Sequence, residues 1–86
     1  MGIECVSTVG SPASLKLAHP NKPYYVTITS LSNFVICGIY HIIHNGRGNS
    51  HTQALKEMSG ITFEGDTVKY AGGNGECIIT ALCMGI

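Results

Sequence analysis

The 86-residue chain has no tryptophan, and only 12% of its residues are charged. Five basic and five acidic residues cancel, so it offers no cationic field for generic nucleic-acid or membrane-surface binding. No apolar run reaches the about eighteen residues that a transmembrane helix needs. Internal repeats, low-complexity tracts and linkers are also missing, which points to one domain over residues 1–86. The opening Met1-Gly2-Ile3-Glu4-Cys5 lacks the basic start and apolar core of a signal peptide. Such a chain is either made and kept in the cytosol or is the mature form of a secreted protein given a new initiator. No Walker-type loop or dinucleotide fingerprint occurs, and no acidic residue is placed to orient a histidine. Catalytic residues, cofactor and metal are therefore all assigned as none, and a non-enzyme is expected.

Hydrophobic residues make up 44% of the chain, a large share for a domain this small and this weakly charged. A homo-oligomer, such as a ring, is the economical way to bury the excess. The four cysteines, Cys5, Cys37, Cys77 and Cys83, fit either disulfides or four reduced thiols packed as small hydrophobes. Four histidines are present, and a zinc site from His44, His51 and a cysteine matches no standard ligand spacing. His41 and His44 fall in an expected strand and should face opposite ways.

The hydrophobic periodicity predicts mostly strands. Ile3–Val9 and Ser14–Ala18 are short extended pieces around a proline-bearing irregular stretch. Tyr24–Ser30 alternates cleanly, with Tyr24, Val26 and Ile28 on one face and Tyr25, Thr27 and Thr29 on the other. Phe34–Ile43 is apolar on both faces, as in a strand covered on both sides, and a neighbouring subunit is the natural second cover. Ile61–Phe63 and Thr67–Tyr70 form a hairpin around Glu64-Gly65-Asp66, and Cys77–Met84 is a last strand after the glycine-rich 71–75 loop. One helix is expected over about residues 50–58. Ser50 and Gln53 match a capping box, Ala54, Leu55 and Met58 form the inward stripe, and Ser59-Gly60 ends it. The expected fold class is α+β or mostly β: a small OB-like barrel, or a strongly bent antiparallel sheet, with that one short helix.

The most concentrated polar run is Asn45-Gly46-Arg47-Gly48-Asn49-Ser50, placed just before the expected helix. The two glycines would let the backbone approach a ligand. Arg47 offers five fixed donors, and Asn45, Asn49 and Ser50 add further polar groups. A helix N-terminus there would favour a carboxylate or phosphate, and the same residue types suit sugar hydroxyls. The same run also reads as a plain strand-to-helix turn with a solvated arginine.

The order of features resembles the receptor-binding B subunits of Shiga- and cholera-type bacterial toxins. The matching residues are Glu4-Cys5-Val6 near the start, Thr52-Gln53-Ala54-Leu55, Gly65-Asp66-Thr67-Val68, and the glycine-rich loop before the last strand. That resemblance implies an OB fold, a homo-oligomeric ring, a glycan ligand gripped by Asn45 and Arg47, and a Cys5–Cys77 disulfide. It departs from the family in a glycine inserted between Asn45 and Arg47 and in the missing aromatic after the arginine. The leading expectation is a non-catalytic, glycan-binding, homo-oligomeric subunit. Its rival is a cytosolic oligomer that sequesters a small anionic, phosphorylated ligand such as a nucleotide signal, of the kind a virus would encode. A purely structural assembly subunit stands third.

Overall fold

The computed structural model describes residues 2–86 and is mostly β, with eight strands in two antiparallel sheets. The strands are β1 (Ile3–Gly10), β2 (Ala13–Lys16), β3 (Tyr24–Ser30), β4 (Ile36–His44), β5 (Ser50–Lys56), β6 (Ile61–Glu64), β7 (Thr67–Tyr70) and β8 (Cys77–Met84). The larger sheet runs β1-β8-β3-β4-β5 and the smaller β2-β7-β6. Met1, part of the opening discussed above, lies outside the described residues.

Alternation dictates the packing. Tyr24, Val26, Ile28, Ile79 and Ala81 point inward from the larger sheet and meet Val68 and Tyr70 of the smaller. The sheets do not close into a barrel: β1 and β5 end one sheet, and β2 and β6 end the other. Between β5 and β6 lies an open cleft of about 430 Å³ lined by Tyr40, Thr52, Ala54, Met58 and Phe63.

The expected helix is not formed. Residues 50–56 pair with β4 from His44↔Ser50 to Ile39↔Lys56, making β5 an edge strand exposed throughout. Ala54 and Leu55, expected on the inward stripe, are exposed, while Met58 is buried beyond the strand end. Without β5, the apolar β4 would itself be the open edge, with a row of unpaired N–H and C=O groups. Satisfying that row outweighs the local helix preference of Ala-Leu-Lys-Glu-Met, which amounts to a few tenths of a kcal/mol per residue, about the size of the whole propensity scale.

Opposite Ile28 and Thr29 of β3, a register shift in β4 puts Ile36 across from Thr29, on the outer face, and leaves Cys37 against the core. One extra residue flips the alternation, so Ile36 does not share the face of Tyr40 and Ile42 as the pattern predicts. Gly38 lies in the same strand, where a Cβ would come within 3.0 Å of Met58 Cβ and 3.1 Å of Tyr40 Cε1. Its bare backbone leaves room for Met58 to cap the core.

Buried tyrosines latch the connecting segments. The Tyr40 hydroxyl donates to Met58 O (3.1 Å) and accepts from Met58 N (2.7 Å). The Tyr70 hydroxyl donates to Gly75 O and accepts from Asn74 N, both at 2.7 Å. The Tyr24 hydroxyl accepts from His19 N at 2.8 Å.

Candidate functional site

Three connections converge at one end of the sandwich. The 17–23 segment is tied there by Leu17 N donating to Asp66 O and Asn21 N donating to His44 O, each at 2.7 Å. The β4–β5 loop docks on the same corner. A Cβ on Gly46 would meet Pro20 Cβ at 3.1 Å, and one on Gly65, in the β6–β7 turn, would meet Gly48 Cα at 3.2 Å. Of the two glycines flanking Arg47, Gly46 makes room for Pro20 by its own missing Cβ, while at Gly48 the room is made by Gly65. Both also hold positive φ, 73° at Gly46 and 94° at Gly48, which glycine tolerates best.

The interior of the loop is largely self-satisfied. Asn45 Oδ1 accepts from Arg47 N at 2.7 Å and from Asn49 N at 3.2 Å, and Asn45 N donates to Asn49 O at 3.0 Å. Gly46 N donates to His44 Nδ1 at 3.1 Å. With no helix behind the loop and these amides already engaged, the backbone anion cradle expected from sequence is not present here. The polar side chains remain. Asn45, Asn49 and Ser50 line a pocket of about 300 Å³ together with Asn21, Ile43, His44 and His51. Arg47 is exposed at the loop tip, and among the described residues its guanidinium has no hydrogen-bond or ion-pair partner.

Asn21 was not foreseen in this site. It sits between Pro20 and Pro23 at φ 61°, a left-handed conformation asparagine adopts more readily than other side chains. The Pro-Asn-Lys-Pro spacing marks a turn but gives no sign of which strand end the turn touches. His44 is buried and stacks on Tyr24 with ring centroids 6.2 Å apart. Because Nδ1 accepts from Gly46, the ring proton resides on Nε2, which is buried without a partner. His41 lies on the opposite face of β4, beside Tyr25 with ring centroids 5.0 Å apart, as the alternation predicts. No group of three or more metal-ligating side chains occurs among the described residues, and no cysteine lines the pocket beside His44 and His51.

The structure does not bring Cys5 and Cys77 together. Cys5 is exposed on the outer face of β1, whereas Cys77 is buried on the inner face of β8 opposite Gly10. Five residues of strand separate the two positions, about 16 Å, against the at most about 7 Å between Cα atoms that a disulfide spans. All four cysteines are free.

Two phenols are perturbed. Burial pushes Tyr24 above its ordinary value, and neighbouring Cys83 adds to the rise while the His19 N–H opposes it. Burial likewise raises Tyr70, with Cys77 adding and the Asn74 N–H opposing. Both are core tyrosines serving as latches and lie outside the pocket lining. Comparison with family models, with curated proteins and with solved structures finds no match to this chain.

Proposed function

We propose that the chain is a non-catalytic, homo-oligomeric binding subunit whose pocket beside the β4–β5 loop takes a glycan. The observation that supports this most is the lining: the amides of Asn21, Asn45 and Asn49, the Ser50 hydroxyl and the His51 imidazole around the apolar Ile43. Amides and hydroxyls set donors and acceptors side by side, the pattern that vicinal sugar hydroxyls match. The engaged backbone amides of Gly46, Arg47 and Asn49 favour a neutral polyol over a phosphate. Each site is small and open, so useful avidity would come from several copies acting together. The toxin B-subunit resemblance points to the same ligand class, although the helix and the Cys5–Cys77 bridge it implied are not features of this fold.

A second reading, an oligomer that sequesters a small phosphorylated ligand, is supported by the unpartnered Arg47 guanidinium at the loop tip. A glycan array and a nucleotide thermal-shift screen, each run with Asn49→Ala and Arg47→Ala, test the two together. Glycan binding lost in Asn49→Ala supports the first reading. A nucleotide shift lost in Arg47→Ala, without glycan binding, transfers the pocket to the second. Binding of neither class rejects both.

A further inference from the structure

The larger sheet has two faces, and only one is covered by this chain. Its outer face carries Ile3, Val9, Tyr25, Ile36, Ile43 and Met84 exposed to solvent. Along the central row, Thr80, Thr27 and Ile39 stand side by side on β8, β3 and β4. Of the five acidic and five basic residues, only Lys56 shares a row with this face, and its ammonium donates back to Ile36 O at 2.8 Å. Glu4 points inward and pairs with His19 Nε2 at 3.1 Å, and the others lie on the smaller sheet or in loops. The chain is thus charged around one sheet and almost uncharged across the other.

We infer that a second copy of this chain docks on this outer face, sheet against sheet. This rests on the reading of the protein as a self-associating subunit and assigns the surface that does it. Neutrality identifies the occupant. A face without a basic fringe does not suit anionic lipid or nucleic acid, whereas two copies of an uncharged face meet with no like charges opposed. Size agrees. Five strands spaced about 4.8 Å and rising about 3.3 Å per residue give a face of roughly 500–600 Å², so two faces bury more than about 1,000 Å², enough for a specific interface.

Phe34, two residues before Ile36, is held at φ 58° and is 72% exposed. It closes the β3–β4 turn, its N–H donating to Ser30 O at 2.8 Å.

β3 is the middle strand of the five, so a twofold axis through the centre of the face brings Thr27 close to its own copy. Sedimentation of the wild-type chain and of Thr27→Arg, Tyr25→Glu and Thr62→Lys tests this, Thr62 being exposed on the smaller sheet. Wild type and Thr62→Lys should run at twice 9.1 kDa. Thr27→Arg and Tyr25→Glu should run as monomers with unchanged circular dichroism, their dissociation constants raised at least about a hundredfold. Labelling of Cys5, on the same face, needs no variant and should accelerate on dilution of the wild-type protein. A wild-type monomer at millimolar concentration overturns both this surface and the self-association reading, and binding of that monomer to neutral vesicles would make lipid the occupant. Self-association that survives both face variants, with Cys5 labelling independent of dilution, overturns this surface alone.

Discussion

Gly48 and Gly65 meet backbone to backbone: a Cβ on Gly65 would lie 3.2 Å from Gly48 Cα, whereas one on Gly48 would touch nothing within 4 Å. Both residues have positive φ, so alanine strains either site by about 1–2 kcal/mol. Only Gly65→Ala also pushes the β4–β5 loop away from the β6–β7 turn. Gly65→Ala should therefore lower the melting temperature more than Gly48→Ala, at about 4–8 °C per kcal/mol for a domain of this size. Equal losses in calorimetry would show that the contact between the two turns is loose.

The loop's two polar anchors should separate cleanly. Arg47→Ala removes a side chain without a partner and should change stability by less than about 0.5 kcal/mol. Asn45→Ala removes the acceptor for Arg47 N and Asn49 N and should cost about 1 kcal/mol as the loop loosens. Urea titration of both variants checks this. The contrast also makes Arg47 and Asn49 cleaner probes of ligand binding than Asn45.

Tyr40→Phe should be costly for the removal of one oxygen. It leaves both the N–H and the C=O of the buried Met58 without the Tyr40 hydroxyl, at about 1–3 kcal/mol for each group. Amide exchange at Met58 should accelerate well beyond exchange in β3 and β8.

Alkaline pH should unfold the protein through its core phenols. Folding holds Tyr24 and Tyr70 above the ordinary value of 10.0, so the unfolded chain ionises first. Their contribution is complete below the unfolded value and is lost as pH rises through the folded values. Urea midpoints measured between about pH 8 and about pH 12 should fall, and Tyr24→Phe and Tyr70→Phe should each flatten the decline.

Thiol titration of the unfolded protein should count four free cysteines. In the folded chain Cys77 and Cys83 should stay unlabelled, and Cys5 should react first in the monomeric Thr27→Arg variant. A count of zero would contradict the placement of Cys5 and Cys77 on opposite faces.

Strand alternation made much of this legible in the sequence. Tyr24–Ser30 and Cys77–Met84 form strands with those boundaries, and the inward and outward sets of β3 follow the period of two. Ser50–Met58 was misleading because its helix signals are local, a cap and an apolar stripe, while the unpaired edge of β4 is a property of the assembled sheet. The site shows the same division. Asn45, Asn49 and Ser50 do line a pocket with Ile43, His44 and His51 of the same hairpin, but Asn21, which completes it, arrives from the 17–23 segment through a crossing that no spacing encodes. In the sequence Gly46 and Gly48 suggest a backbone freed to approach a ligand; in the fold Gly46 lies against Pro20 and Gly48 against Gly65 of the same chain.

β8 is the last strand in the chain and lies between the first strand and β3. While the polypeptide is being synthesised, β1 therefore has no partner and β3 has an open inner edge until the segment up to Met84 has emerged. The larger sheet is completed only when β8 inserts between β1 and β3. Such a route favours slow acquisition of structure and leaves apolar edges open to other nascent copies in the interim. A premature stop ahead of Cys77 would remove the strand that joins β1 to the rest of the sheet, leaving a chain with two unsatisfied edges.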